Sequence, residues 1–248
     1  MYKRLLVLLF TVLSLTSCGT KGKTYQLGID ANWYPLHLMG KEANIHAFTD
    51  ELLRGISHEE DVFFERVSRS WDNLITGLKE DRYEGILCSI TPRVSLETTY
   101  DFSEVFLHTG PVLVVRADTK ISSMGQMKGK AMGVDSMQNE TLLLDLYPEV
   151  LVHYYHSITE GLDEVISGDI DGALINVLPA SSYIRDLYHG QVKIASPPLN
   201  DVGLRLVTLH GQNKDLVTVF NRGLSKLRDN GVYDKLLKKW DLSIRSDR

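Results

Sequence analysis

Few residues in this chain have the types and spacing that make or break covalent bonds. Cys88 and Ser89 are adjacent potential nucleophiles, yet no His stands near them in sequence to serve as the base that nucleophilic catalysis requires. The eight His are scattered, and His153 and His156 lack Cys or carboxylate partners at ligand spacing, so no metal centre and no cofactor is expected. What remains is the chemistry of recognition. Asp30 stands at the end of an apolar segment, where a carboxylate either accepts from a cationic or amide group or caps the turn that follows. Trp33 and Trp71 are broad aromatic surfaces. As a pair they could sandwich a flat or cationic side chain, a contact worth about 1 kcal/mol once desolvated; either one alone is as readily a core residue. Ser89, Thr91 and Arg93 follow closely in one segment. A guanidinium pairs bidentately with a carboxylate, so Arg93 either reaches a ligand or lies on the surface.

These residues need elements to hold them, and the chain alternates strand and helix signals in the manner of a largely parallel α/β sheet. Strands are expected at 25–30, 61–67, 84–90 and 110–116, with helices at 46–56 and 71–80. The second helix carries Trp71, Leu74, Ile75 and Leu78 at spacings of three and four, one apolar face. A second set follows: strand 131–134, helix 138–146, strand 150–155, helix 159–167, strand 172–175 and a helix after Pro179. An apolar strand at 204–209 and helices at 215–229 and 232–240 close the chain. The two apolar strands bracket the second set, which suggests one lobe inserted into another with two crossings between them. A ligand would sit in the cleft, where strand ends and helix N-termini present free backbone donors.

The N-terminus reads as an export signal. Lys3 and Arg4 precede the apolar run Leu5–Leu15, which is too short to cross a hydrocarbon core of about 30 Å and has the size of a signal-peptide core. Leu15-Thr16-Ser17-Cys18 then resembles a bacterial lipobox, in which the Cys is acylated and becomes the first mature residue; the other reading is an ordinary secretory signal with a chance Cys. Residues 19–24 form a small, polar tether. About 225 residues remain, enough for one large domain or two small ones. Hydrophobic content of 43% and charge of 24% describe a globular chain, and a net charge of −5 argues against a nucleic-acid partner. With Cys18 acylated, Cys88 has no partner for a disulfide.

The ordered set Trp71-Asp72-Asn73-Leu74-Ile75, Tyr83-Glu84-Gly85-Ile86, Ser89-Ile90-Thr91-Pro92-Arg93 and Asp101-Phe102-Ser103 resembles the core of the polar amino-acid-binding proteins, periplasmic solute-binding protein family 3, which serve ABC importers. Met127–Val134, Asp169–Ala173 and the ending Leu227–Lys235 through Trp240 continue the resemblance, from about residue 25 to 242. It implies a two-lobed α/β fold of the periplasmic-binding-protein type II, with lobes joined by two hinge strands: residues 25–112 plus 206–242 in lobe one, 113–205 in lobe two. It implies a monomeric, lipid-anchored protein at a bacterial membrane, in the periplasm. Such a protein captures a small polar ligand, an amino acid above all, for an ABC importer permease.

By the same resemblance Asp30 reads the ligand's side chain, Trp33 and Trp71 are pocket aromatics, and Thr91 with Ser89 helps hold a ligand carboxylate. The chain departs from the family in three places. The family's carboxylate-binding Arg falls at Leu96 in an ungapped alignment, leaving Arg93 to reach the site by a local shift. Asn176 replaces an Asp that binds the ligand's α-ammonium. Asp135 through Asn139 replaces a Gly-Thr turn, and both Asp135 and Asn139 are candidate ligand contacts. Two other functions share the resemblance: a sensory or surface lipoprotein without an uptake role, and a periplasmic dehydratase-like enzyme.

Overall fold

The computed structural model describes residues 22–34, 36, 38–136 and 141–244. The signal, Cys18 and Asn139 lie outside them. The fold is mixed α/β and built on two sheets. The first opens with β1 (Thr24–Asp30), which runs parallel to β2 (Phe63–Arg69) and β3 (Gly85–Cys88). The long strand β11 (Gly203–Leu209) lies antiparallel to β3, β4 (Tyr100–Phe102) and β5 (Leu107–His108), giving the order β2-β1-β3-β11-β4 with β5 also on β11. The second sheet has the order β10-β6-β9-β7-β8, from β6 (Pro111–Arg116), β7 (Ala131–Asp135), β8 (Leu151–Tyr155), β9 (Gly172–Asn176) and β10 (Val192–Ile194).

The two apolar strands separate cleanly. All of β6 belongs to the second sheet and all of β11 to the first. The chain therefore changes sheet between His108 and Pro111, and returns between Ile194 and Gly203. Both strands are buried along almost their whole length, which explains why they read as continuous apolar runs instead of alternating ones.

Helices α1 (Glu42–Glu60) and α7 (Lys214–Asp229) pack on each other and on the first sheet. Ile45, Phe48, Leu52, Leu53 and Ile56 form the buried stripe of α1, at the spacing of an amphipathic helix. The helix stops where Asp61 takes a left-handed conformation, φ 50°, so the following strand starts at Phe63 instead of 61. Helix α2 (Trp71–Lys79) covers the first sheet through Leu74 and Leu78, in an apolar cluster with Tyr83, Ile86 and Val207. In the second lobe α5 (Ile158–Ser167) and α6 (Val177–Asp186) pack on the sheet, and α8 (Val232–Lys239) docks against α7.

Three short strands, β4, β5 and β10, were not legible in the sequence. Each is two or three residues long and is a strand only because a longer neighbour supplies the ladder. The helix expected at 138–146 is described as α4 (Thr141–Leu144), and α3 (Val94–Glu97) is a single turn.

Candidate ligand-binding cleft

Because β1, β2 and β3 are parallel, their C-terminal ends share one side of the sheet, together with the N-terminus of α2. Asp30 ends β1 beside Arg69 at the end of β2. Its side chain is buried, and its Oδ1 accepts the backbone N–H groups of Asn32 (2.9 Å) and Tyr34 (3.1 Å). Asp30 thus caps the turn after β1, one of the two roles open to it from sequence. That turn decides which aromatic faces outward. Trp33 takes φ 55°, uncommon for a bulky residue, and turns inward to 1% exposure with its ring 4.9 Å from the His46 imidazole. Its indole N–H has no hydrogen-bond partner among the described residues.

The next residue, Tyr34, is 57% exposed, and its ring centroid lies 5.9 Å from that of Trp71. Trp71 starts α2 and is partly buried against the cluster of Leu74, Leu78 and Cys88. The structure therefore pairs Trp71 with Tyr34 and keeps Trp33 in the core. Two aromatics were adjacent in sequence; only the backbone of the turn distinguishes them.

Helix α2 is capped by no side chain: Ser70 sits at its N-cap with extended backbone, and its hydroxyl accepts from the Asn73 amide at 2.9 Å. The start of this nine-residue helix thus offers backbone donors toward the same edge. Ser89 and Thr91 follow β3 and are half-buried, whereas Arg93 is exposed and makes no ion pair among the described residues. Cys88, just before them, is buried, and burial pushes its thiol up to about 12, well away from the thiolate a nucleophile needs.

On the second sheet, Asp135 ends β7 opposite Tyr155, and Asn176 ends β9 as the N-cap of α6. Both are half-buried and both have polar interactions. Asn176 gives α6 no side-chain cap. Ser136 follows, its hydroxyl 3.1 Å from Nδ1 of His156. The candidate residues fall into two groups, Asp30, Trp71, Ser89, Thr91 and Arg93 at one sheet and Asp135 and Asn176 at the other. Tyr34 joins the first group, and Trp33 leaves it for the core.

Comparison with known proteins agrees with this architecture. The chain is 28% identical to the arginine-binding extracellular protein ArtP of Bacillus subtilis, over 95% of this chain and 96% of that one. It is 22% identical to the ABC transporter arginine-binding protein 1 of Escherichia coli, over 95% and 98%. Among solved structures, the L-cystine solute receptor of Neisseria gonorrhoeae in its unliganded open conformation has the same fold, with a TM-score of 0.67 at 21% identity, covering 92% of this chain and 97% of that one. The sequence profile of the bacterial extracellular solute-binding proteins, family 3, matches residues 25–243. The chain belongs to that family.

Proposed function

We propose that this protein binds a polar amino acid between its two sheets and delivers it to an ABC importer. The observation that carries the reading is the pairing of exposed Tyr34 with partly buried Trp71, after the end of β1 and at the start of α2. An exposed aromatic ring set against a partly buried one offers a surface that something flat or cationic can cover. Relatives named for arginine binding support a ligand of that class. Asp30 and the free start of α2 supply polar contacts nearby, and Ser89, Thr91 and Arg93 supply the rest of the first lobe's edge. Asp135 and Asn176 face the ligand from the second lobe; Asn139, a further candidate from the sequence, lies outside the described residues. The buried, protonated Cys88 favours binding over catalysis.

The reading includes two lobes, about 25–112 plus 206–242 and 113–205 by sequence, with Pro111 and Val112 on the second sheet and Gly203 to Arg205 on the first, that close about the two crossings. It also includes a lipid anchor on Cys18. Among the described residues no helix is long and apolar enough to cross a membrane. Replacing Cys18 with Ala should move the protein from the membrane to the soluble fraction; a variant that still sediments with membranes removes the anchor from this account.

Titration calorimetry with L-arginine, L-glutamine, L-cystine and a polyamine tests the ligand class. One amino acid should bind saturably without being consumed. Tyr34→Ala and Trp71→Ala should each weaken it by about 30-fold, the usual loss for a desolvated aromatic contact, whereas Trp33→Ala should act on stability. If no amino acid binds, or both lip variants bind like wild type, the reading fails.

A further inference from the structure

A second cavity lies away from the aromatic lip. It runs along the edge strand β4 and is lined by Arg205, His108, Asp201, Glu97, Asn221 and Arg228 among others. None of the candidate ligand residues lines it; Pro92, between Thr91 and Arg93, is the nearest in sequence. Its floor is Arg205 on β11, opposite Cys88, with a side chain only 3% exposed.

The polar chemistry of this floor is unfinished. Among the described residues Arg205 bonds through Nη2 alone, to the backbone oxygen of Asp201 at 2.5 Å and to its Oδ2 at 2.9 Å. Among the described residues its buried Nε–H has no partner, nor does the buried Nδ1 of His108. A guanidinium cannot discharge, and a buried cation is costly unless hydrogen-bonded counter-charge surrounds it. The counter-charge it has is loosely held, since the Asp201 side chain is 67% exposed. Of the other carboxylates lining the cavity, Glu104 pairs with Arg228 at 2.7 Å and Asp101 with His210 at 2.9 Å, while Glu97 is exposed and pairs with neither Arg205 nor Arg228 among the described residues.

We propose that this cavity, about 610 Å³ in volume, is a binding site for a small carboxylate held by the Arg205 guanidinium, separate from the aromatic lip. A carboxylate is an anion whose two oxygens match the guanidinium fork, and one entering here takes up donors that Asp201 leaves unused. His108 lies at the start of the outgoing crossing and Asp201 within the returning one. Both crossings therefore contribute to the wall, and occupancy biases the angle between the sheets. Burial keeps His108 below the usual imidazole range, so at neutral pH it offers a neutral ring to the ligand.

The test is independent of the amino acid bound at the lip. The Arg205 Nε–H signal in ¹⁵N NMR of the purified protein is followed during titration with acetate, glycine, glycinamide and sodium chloride at matched ionic strength. Acetate and glycine should shift it saturably; glycinamide and chloride should not. Arg205→Gln, read through the His108 ring signal, should weaken acetate about tenfold or more, the loss of one charge-assisted hydrogen bond. If that variant does not fold, Arg205→Lys, which keeps the charge and loses the fork, should weaken it too. Trp71→Ala should leave the acetate response in place. No saturable shift, an equal shift with glycinamide or chloride, acetate binding undiminished in the folded variant, or a response lost with Trp71→Ala overturns the proposal.

Discussion

The two lobes seat a helix on a sheet by the same device, a tyrosine wedged between a strand glycine and a helix glycine. In the first, Tyr83 lies against Gly28 of β1 and Gly77 of α2; a Cβ on Gly77 would stand 2.3 Å from the Tyr83 hydroxyl. In the second, Tyr155 lies against Gly133 of β7 and Gly161 of α5, where a Cβ on Gly161 would stand 2.7 Å from ring Cδ1. The rings are equivalent and the hydroxyls are not. Tyr83 donates to the Leu74 carbonyl at 2.6 Å, tying the ring to α2, while Tyr155 donates to the Leu174 carbonyl at 2.7 Å, tying it to β9. The first lobe thus fastens the helix that carries Trp71, and the second fastens the strand that leads to Asn176. A shared scaffold presents a different element at each side of the cleft.

The largest expected effects break this symmetry. Gly77→Ala and Gly161→Ala should each destabilise the protein by about 1–3 kcal/mol through overpacking, although Ala is the better helix former. Tyr83→Phe should recover part of the Gly77→Ala loss, because it deletes the closest atom and frees the ring to move. Tyr155→Phe should recover nothing for Gly161→Ala, because the close atoms include Cγ, at 3.0 Å, which the backbone pins. Double-mutant cycles in denaturant measure both couplings. Equal recovery in the two lobes would mean that the wedges are interchangeable.

A smaller effect separates the lobes by pH. Glu60, at the end of α1, has a side chain only 2% exposed and takes Nε of Arg222 at 2.5 Å and Nζ of Lys226 at 2.9 Å, both on α7. The Arg222 hydrogen bond leads in holding its carboxyl below the usual value of 4.5. A carboxyl whose pKa is lower in the folded protein contributes stability above its unfolded pKa, and that contribution is lost as pH falls through the folded value. Glu60→Gln should therefore cost about 1–2 kcal/mol at pH 7, and the gap to wild type should close in acid below about 4.5. A gap that stays constant down to pH 3 would show that Glu60 contributes by packing and not by charge.

The sequence by itself determined the family, the two sets of strands and helices, and the residues Asp30, Trp71, Ser89, Thr91, Asp135 and Asn176 as candidates at strand ends. Apolar periodicity and the position of polar residues where it stops are local properties, and a local reading recovers them. The resemblance also marks Leu96 and Asn176 as positions where the family is expected to carry other residues. Three things were decided only in the folded molecule. Whether Trp33 or Tyr34 faces outward depends on Asp30 capping the turn and on the left-handed backbone at Trp33. The strands β4, β5 and β10 exist because β11 and β6 lend them a ladder, which no window of two or three residues reveals. And Arg205, written in the sequence as one charge within an apolar run, becomes a nearly buried cation at the floor of a cavity once β11 takes its place between β3 and β4 in the first sheet.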